Sequence, residues 1–480
     1  MRKSIIYLCA CALSGMMVTT SCQDNLDSDA GVSNTRSVNI DKDLFAIKGC
    51  INVKLAKGTN QAIPATRSGS VEMQSVPSAM TSAMQYSGAY KMERVFKPAG
   101  IYEARTVAEG LDRWYTIYFD KSKDVGAVLD QFKKAEGVEC AERVLPMARP
   151  TVKMTPYSAP EASMQGTGSN FDDPLLAKQW HYYNNGTINP RAVKGADCNV
   201  KPVWEKYTTG KKNVIVAVVD GGIDITHEDL KDNLYVNEKE KNGQPNVDDD
   251  GNGFVDDIYG YNFVTAKDVV GGTIEPDDGG HGTHVAGTVA ARNNNGKGVA
   301  GIAGGDGSPD SGVRLLSCQI FRNKDEQGDA AAAIKYAADN GAVICQNSWG
   351  YSSTAGVTSM PQLLKEAVDY FIKMAGCDAN GNQRPDSPMK GGVVMFAAGN
   401  ENKEFSAYPA CYAPTVSVAA MAWDFSKASY SNYAKWVTIT APGGDQDRFG
   451  TEAGVLSTVP KKKVASGYAY FQGTSMACPH

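Results

Sequence analysis

From residue 213 onwards, apolar runs alternate with segments of helical periodicity. The predicted strands are the runs "NVIVAVVD", "VRLLSCQIF", "AVICQNSWG", "GVVMFAAGN" and "TVSVAAM". The predicted helices are "THVAGTVAAR", "AAAAIKYAADNG" and "PQLLKEAVDYFIKMAG", the last with Pro361 near its start and Gly376 at its end. Continuous β-branched runs separated by helices predict an α/β fold, a mainly parallel sheet with helices on both faces. Functional residues are then expected at the carboxyl ends of the strands.

Residues 38–150 show a different pattern, which is typical of a small α+β domain. "FAIKGCINVKL" and "RWYTIYFD" alternate apolar and polar positions like strands, and "ECAERVLPMAR" is predicted to be a closing strand. "DVGAVLDQFKKAEGV" predicts a helix whose apolar face carries Val125, Val128, Leu129 and Phe132. Residues 151–170 are rich in Pro, Ser, Gly, Thr and Met without a periodic pattern, so we predict a linker there.

Residues 1–21 have the pattern of a secretory signal peptide. Two basic residues precede an apolar run between residues 5 and 18, which is too short to span a bilayer. The following "TTSCQDN" resembles the lipobox of bacterial lipoproteins, although Thr19 stands where that motif usually has leucine. The resemblance implies lipidation of Cys22, and residues 22–37 are then a polar tether. Plain cleavage and release is the alternative.

The composition is that of a soluble globular protein. The chain has 480 residues, of which 42% are hydrophobic and 21% charged, enough for two or three domains with their own cores. Its formal net charge is -5 and no cluster of Lys and Arg stands out, so nucleic acid is not an expected partner. The cysteines beyond Cys22 show no CxxC pair and no zinc spacing. A bridge such as Cys377 to Cys411 stays open, because pairing cannot be deduced from sequence.

Three polar residues stand at the ends of predicted elements, among small residues. "VVDGGID" places Asp220 at a strand end, "GGHGTH" places His281 at a helix start and "GTSMA" places Ser475 at another helix start. A serine hydroxyl needs an imidazole as base, and that imidazole needs a carboxylate to fix its tautomer. Singly each residue has an ordinary reading as a cap, packing or turn residue. Together, in the order Asp, His, Ser, they favour nucleophilic catalysis.

The chain from about residue 171 to its last residue resembles the subtilisin-like serine endopeptidases, the subtilases. The resemblance is carried by "VVDGGID", "HGTHVAGT", "AAGNEN" and "GTSMACPH", and "QWHYYNNG" is similar to the usual opening of the catalytic domain. It implies a catalytic triad of Asp220, His281 and Ser475, with Asn400 in the oxyanion hole. It also implies hydrolysis of peptide bonds through an acyl-enzyme, with no cofactor for catalysis and with proteins or peptides as substrates.

The segment "NSWG" resembles the part of the family that pairs with the substrate backbone. The implied substrate-binding residues are Ser348, Trp349, Gly350, Ala397, Ala398 and Gly399. Of these, Trp349, Ala397 and Ala398 are expected to wall the first pocket.

The segment "NVDDDGNGFVDD", residues 246–257, resembles the start of a calcium loop. Hard cations take several oxygen ligands from a tightly turned backbone, and Asp248, Asp250 and Asn252 fit the first three positions. Tyr259 stands where an EF-hand has its glutamate, so a full EF-hand is not expected. A structural calcium and a solvated acidic loop both stay open.

The other histidines are not expected to be catalytic. His284 lies three residues after His281, but the pair lacks the glutamate of HExxH, and the resemblance implies that His284 is structural. His227 is expected to be a surface or packing residue, and Cys478, near the serine, a small core residue.

The resemblance also implies an order of domains and a location. Residues 1–21 are a signal peptide, 22–37 a tether, 38–150 a domain like the family's inhibitory propeptides, 151–170 a linker with one processing event, and 171–480 the catalytic domain. Because the helix that begins at Ser475 continues for several turns in the family, the catalytic domain is expected to be truncated at its C-terminus.

We therefore expect an exported protein, either a lipoprotein of the outer membrane in the cell envelope or an extracellular enzyme after processing. Its expected partners are its own propeptide and, through acylated Cys22, a membrane. Two alternatives stay open: a non-catalytic surface lipoprotein or inactive fragment, and a peptide ligase that uses the same triad.

Overall fold

The computed structural model describes residues 46–64, 66, 68–148, 153–158, 171–264, 270–276, 279–322 and 326–480. The predicted signal peptide, Cys22 and the predicted tether lie outside these residues, as does most of the predicted linker. Two parts are described below: the N-terminal module, residues 46–148, and the main module, residues 171–480.

The N-terminal module is an antiparallel sheet with helices. Its strands are β1 (Cys50–Leu55), β2 (Ser70–Val71), β3 (Lys91–Arg94), β4 (Trp114–Tyr118) and β5 (Val138–Arg143), in the order β2-β3-β4-β1-β5. Its helices are α1 (Thr81–Ser87), α2 (Glu103–Ala108) and α3 (Val125–Lys134). Helix α3 begins after Asp124, whose Oδ1 accepts the Ala127 N–H at 2.6 Å. Its four predicted apolar residues are buried, each stabilising the fold by about 1.5–3 kcal/mol.

The main module contains a seven-stranded parallel sheet in the order β13-β12-β11-β10-β7-β9-β8. The strands are β7 (Ile215–Asp220), β8 (Gly260–Asn262), β9 (Arg314–Gln319), β10 (Ile344–Asn347), β11 (Val393–Ala397), β12 (Val416–Met421) and β13 (Ile439–Pro442). The helices are α4 (Lys201–Lys206), α5 (Glu238–Lys241), α6 (His281–Ala290), α7 (Ala330–Asp339), α8 (Gln362–Met374), α9 (Gln446–Phe449) and α10 (Thr474–Ala477). The predicted α/β class is confirmed.

Both faces of this sheet are covered, as the continuous apolar runs predict. Ala217 and Val219 of β7 pack in the core that holds α7 and α8. Val216 and Val218 point to the opposite face, into the core that holds α6 and Met476 of α10. Successive side chains of a strand point to opposite faces, so a strand buried on both sides is apolar at every position.

A third, three-stranded sheet includes four residues of the predicted linker. It joins β6 (Lys153–Pro156), β14 (Val455–Thr458) and β15 (Tyr468–Gln472), all antiparallel, in the order β14-β15-β6. Lys153–Pro156 lies inside residues 151–170, and no strand was predicted there. Four residues carry too little periodicity to be recognised, and their strand exists because β15 offers an edge for backbone pairing.

The N-terminal module packs against helices α7 and α8 of the main module. Glu142 accepts the first two backbone N–H groups of α8, from Gln362 at 2.8 Å and Leu363 at 3.2 Å. Glu366, one turn further along α8, accepts the Lys54 ammonium at 2.7 Å and the Trp114 indole N–H at 2.8 Å. The two modules are therefore held together by charged groups aimed at one helix.

All eight cysteines of the described residues are unpaired, Cys377 and Cys411 included. Within the same part of the chain, no helix is both long enough and apolar enough to cross a membrane.

Candidate active site

Asp220 and His281 meet at the carboxyl end of the parallel sheet. Asp220 is the last residue of β7 and His281 the first residue of α6. His281 Nδ1 donates to Asp220 Oδ1 at 2.8 Å, and both side chains are at least 97% buried. Because a carboxylate accepts only, the imidazole proton lies on Nδ1, and Nε2 is the basic nitrogen.

Small residues make this approach of strand end and helix start feasible. A Cβ added to Gly282 would lie 2.6 Å from the Gly222 carbonyl oxygen and 3.1 Å from the Gly221 N–H nitrogen. The Gly221 N–H also donates to Asp220 Oδ1, at 2.6 Å, so the oxygen that accepts from His281 is held by the backbone as well. The glycines of "VVDGGID" and "GGHGTH" therefore position the pair.

Ser475 lies in α10, directly after β15, and is 2% exposed. Its hydroxyl donates to the Ser348 carbonyl at 3.1 Å, while the Ser348 hydroxyl donates to the Ser475 carbonyl at 2.8 Å. Helix α10 packs against α6, the helix that begins at His281. The structure thus ties the serine to the "NSWG" segment; for attack on a substrate its hydroxyl has to rotate away from Ser348.

Asn400 Nδ2 and the backbone nitrogen of Ser475 lie near one position beside Gly473. Asn400 Oδ1 accepts the Thr474 N–H and the Thr474 hydroxyl, each at 2.9 Å, which turns its amide nitrogen the other way. A Cβ added to Gly473 would lie 3.6 Å from both Asn400 Nδ2 and Ser475 N. Gly473, with φ 154° and ψ 159°, adopts a conformation that is essentially restricted to glycine. This geometry suits an oxyanion that develops beside the serine.

The predicted substrate-binding residues follow two neighbouring strands, β10 and β11, which pair in parallel. Ser348, Trp349 and Gly350 follow β10; Ala397 ends β11, and Ala398 and Gly399 follow it. The Trp349 ring is only 3% exposed and packs edge-on against Phe396 at 5.3 Å, inside the main core. Its predicted place in a pocket wall stays a prediction.

The edge at Gly350 is already paired with the N-terminal module. The Ala148 N–H donates to the Gly350 carbonyl at 2.8 Å, in an isolated antiparallel bridge. Further along the chain, Lys153 pairs with Gln472, three residues before Ser475. The chain before residue 149 and the chain after residue 152 are therefore both held close to the serine.

His284 and His227 are buried packing residues. His284 Nε2 donates to the carbonyls of Val455 at 3.0 Å and Ala469 at 3.2 Å, and its ring stacks on Phe471. Burial, with nearby His281 adding to it, lowers the pKa of His284 to about 3, so it stays neutral. His227 Nε2 donates to the Gly467 carbonyl at 2.9 Å.

Cys478 is buried in a small core cluster, and burial raises its thiol pKa to about 12.

The acidic loop gathers a different set of carboxylates from the predicted one. Glu240, Asp250 and Asp257 bring carboxylate oxygens within 4.8 Å of one another, the one such group of possible metal ligands in the described part of the chain. Asp248 instead accepts the backbone N–H groups of Asn252 and Gly253, at 3.0 and 3.1 Å.

Asn252 turns its amide nitrogen, not its oxygen, toward two carboxylates of this cluster. Its Nδ2 donates to Asp250 at 3.1 Å and to Asp257 at 2.9 Å. Of the predicted ligands only Asp250 belongs to the cluster. Sequence spacing missed Glu240 because it comes from α5, outside the motif.

Comparison with known proteins agrees with this architecture. Residues 211–480, more than half of the chain, match the model of the subtilase family, Peptidase_S8, and residues 51–186 match the model for the N-terminal region of that family.

The chain is 32% identical over 284 residues to the major intracellular serine protease of Bacillus subtilis (strain 168), covering 58% of this chain and 68% of that protein. It is 31% identical over 278 residues to the thermophilic serine proteinase of Bacillus sp. (strain AK1), covering 58% and 52%. It is 30% identical over 275 residues to subtilisin-like protease 1 of Plasmodium falciparum, covering 55% and 36%. The chain thus spans between about a third and two thirds of the length of these relatives. On the family match and the geometry together, the chain belongs to the subtilase family.

Proposed function

We propose that this chain is a serine endopeptidase whose triad is Asp220, His281 and Ser475. The observation that carries the proposal is the buried 2.8 Å contact between Asp220 and His281, at the same end of the sheet as Ser475. Water is excluded from both partners, so the carboxylate holds the imidazole in one tautomer and stabilises its protonated form.

The reaction follows from these groups. Ser475 Oγ attacks the substrate carbonyl carbon while its proton passes to His281 Nε2. The negative charge on the former carbonyl oxygen is stabilised by the Ser475 N–H and Asn400 Nδ2. His281 then gives the proton to the leaving amine, which leaves an ester on Ser475. Water, activated by the same imidazole, hydrolyses that ester and restores the serine.

The substrate is an extended peptide that adds to exposed backbone edges. The pairing of Ala148 with Gly350 and of Lys153 with Gln472 supports this, since both use backbone hydrogen bonds of the kind an added strand forms. Backbone pairing is independent of the side chains bound, so it suits a protein substrate.

We further propose that the chain is made as a zymogen whose N-terminal module occupies the substrate edge. The predicted single processing event then falls between Ala148 and Lys153, at the start of the predicted linker or just before it. Ala148 pairs with Gly350 of the "NSWG" segment and Lys153 pairs with Gln472, three residues before Ser475, which supports placing the cleaved bond between them. Mass spectrometry of the purified protein should find new termini inside this window and intact chain in Ser475→Ala.

Covalent labelling tests the peptidase itself. The full chain and its Ser475→Ala variant are treated with a fluorophosphonate probe after cleavage is checked by intact mass. We expect one adduct, on Ser475, and none in the variant. A chain that is cleaved and folded by circular dichroism but takes up no probe would contradict the proposal and favour the non-catalytic lipoprotein; transfer of the acyl group to added amines in preference to water would favour the ligase.

Calcium at the acidic cluster is a separate proposal. Three carboxylates suit a hard cation, and Glu240, Asp250 and Asp257 would hold it once the amides of Asn237 and Asn252, which donate to Asp250 and Asp257, turn their oxygens inward. Bound calcium would stabilise the loop and takes no part in catalysis. Calorimetric titration of the chain with calcium should give one site that Asp257→Asn weakens at least about tenfold and that Asp249→Asn leaves nearly unchanged. Equal heats from both variants would refute it.

The proposed location follows from the predicted lipobox, whose residues lie outside the described ones. We propose that Cys22 is acylated and that the protein reaches the cell envelope of its host. Metabolic labelling with a palmitate analogue should mark the chain, and Cys22→Ser should abolish the label. An unlabelled, secreted wild-type chain would show plain cleavage instead.

A further inference from the structure

One segment of the N-terminal module reaches beyond the sheet and inserts a charged side chain into the main module. This segment, the arm, comprises residues 95–113 between β3 and β4 and includes α2. Its Arg105 is 4% exposed, although an arginine is rarely buried unless it is paired. The buried charge indicates that the arm binds the main module, in addition to connecting β3 to β4.

The guanidinium of Arg105 is bound by three oxygens of the main module. Nη2 donates to Asp339 Oδ1 at 2.6 Å, and Nη1 donates to the carbonyls of Cys377 at 3.1 Å and Asp378 at 2.8 Å. The Tyr370 hydroxyl donates to the same carboxylate oxygen at 2.7 Å. We call Asp339, Tyr370, Cys377 and Asp378 the socket.

Charge and shape both fit a guanidinium. Asp339 is the last residue of α7, and Cys377 follows the end of α8, so the negative ends of two helices face the cation. The three acceptors are shared between two nitrogens of one planar fork, two on Nη1 and one on Nη2, whereas a lysine would offer a single nitrogen. The Tyr102 ring of the arm lies 4.3 Å from the guanidinium carbon and closes the fourth side.

The socket does not need Arg105 to complete the main module's own charge balance. Lys335 Nζ already donates to Asp339 Oδ2 at 2.5 Å, and Lys335 is itself buried. Arg105 is thus a second cation on one carboxylate, brought from a segment more than 230 residues away in the chain.

The arm also contacts the acidic loop through its backbone. The Ile101 N–H donates to the Gly251 carbonyl at 2.8 Å. A Cβ on Gly100 would lie 1.9 Å from that carbonyl oxygen, and one on Gly253 would lie 2.2 Å from the Pro98 carbonyl oxygen. Gly100, Gly251 and Gly253 all have positive φ, so both the arm and the loop require glycine at this contact. This contact holds the arm against the acidic loop a few residues before Arg105.

We propose that the socket is a guanidinium-binding site outside the active site, whose ligand is Arg105 of the chain's own N-terminal module. It keeps that module bound after the connecting chain is cut, and it selects a module that presents an arginine at this position. The proposal rests on the proposed zymogen, because it assigns the residues that retain the cut module. Glu142 accepts N–H groups at the start of α8 and Arg105 donates to a carbonyl beyond its end, so the N-terminal module contacts both ends of one helix.

The test measures retention and not peptidase activity. A recognition sequence for a site-specific protease is inserted between residues 159 and 170 of the full chain, in a Ser475→Ala background. The fragment made by this cut carries β6 as well as the N-terminal module, in every variant alike, so differences between variants report the arm. After cutting, the main module is held by a C-terminal tag and the N-terminal fragment left on it is followed with time. Because no catalysis is needed, failure of this test and failure of the probe labelling are distinguishable.

Arg105→Met should shorten the half-life of the complex about 30-fold or more, since the complex loses three hydrogen bonds from a charged donor and the Cys377 and Asp378 carbonyls lose their guanidinium partner. The half-life of the Arg105→Lys complex should be close to that of the methionine variant, because a lysine offers one donor nitrogen where the arginine uses two. The matched control is Glu109→Gln, on the same arm, which loses only an exposed contact to Lys373 and should stay within about threefold of wild type.

Retention of the Arg105→Met fragment for as long as the wild-type fragment would overturn the proposal. So would equal losses from Arg105→Met and Glu109→Gln, or a wild-type fragment that leaves at once. Each variant is checked by circular dichroism before cutting. If Arg105→Met does not fold, Arg105→Gln takes its place under the same expectations.

Discussion

The proposed catalytic centre and the surface between the two modules are both buried and polar, yet they are built from different kinds of residue. The centre joins short side chains at the ends of β7, α6 and α10, and glycines let the backbones approach. The surface between the modules joins long charged side chains, such as Arg105, Lys54 and Glu366, to helix ends.

The difference teaches what each region has to do. Chemistry requires reacting atoms held to within a fraction of an ångström, which short side chains on rigid element ends provide. Reversible docking of one module on another requires contacts that bind strongly when all of them are formed and that break together when the module leaves. Buried charges provide this, because each is costly once its partner leaves.

The largest effect is expected in the centre, from Asp220→Asn. The new amide donates to His281 Nδ1 and forces the imidazole proton onto Nε2, where the base has to accept one. We expect kcat to fall about 10⁴-fold, as known for the equivalent change in another serine protease. Steady-state kinetics of the processed enzyme on a peptide substrate measures it. Asp224→Asn, four residues further along the chain, is the control and should change kcat little. If kcat of Asp220→Asn decreases by less than tenfold, the Asp220 carboxylate has no role in the mechanism.

Asn400→Leu should have the next largest effect. It keeps the volume but removes the side-chain N–H donor that flanks the oxyanion site. We expect kcat to fall about 10²–10³-fold with little change in KM, the magnitude known for the oxyanion asparagine of subtilisin itself. The exposed change Glu404→Gln in the same turn is the control. A rise in KM at constant kcat would instead assign Asn400 to substrate binding.

The docking surface should respond to pH through Glu142. Burial raises the pKa of Glu142 to about 7 in the docked state, against an ordinary value of 4.5 that returns when the fragment leaves. The protonated form is favoured in the complex, so retention is full below about pH 4.5 and is lost as pH rises through about 7. The fragment-retention assay should show a half-life at least about tenfold longer at pH 5 than at pH 8.

Glu142→Gln should flatten this profile, whereas Glu139→Gln, at an exposed position on the same strand, should leave it unchanged. A profile that Glu142→Gln does not alter would assign the pH dependence to another group.

The smallest effect is expected from Lys153→Met. Lys153 pairs with Asp447 at 2.7 Å, but both side chains are about half exposed. Such pairs contribute roughly 0–1 kcal/mol, so fragment retention should change less than about threefold. A loss as large as that of Arg105→Met would show that burial is not what separates the strong contacts from the weak ones.

Sequence patterns predicted secondary structure correctly where an element is determined by residues close together in the chain. The apolar runs of the parallel sheet, the apolar face of α3 and the glycine-rich turns around Asp220 and His281 are local features, and the structure shows the predicted elements. Strand β6 and the cluster of Glu240 with Asp250 and Asp257 were missed, since neither has a local signature.

What the sequence determined by itself is the α/β sheet, the order of its elements and the identity of the candidate catalytic residues, because periodicity and turn chemistry act between near neighbours. Only the tertiary structure decided that Ala148 lies on Gly350, that β6 joins β15 and that Arg105 enters the socket. These contacts join segments up to several hundred residues apart. No short-range preference encodes them, and each forms only when the burial of two already folded surfaces outweighs the cost of desolvating its charges.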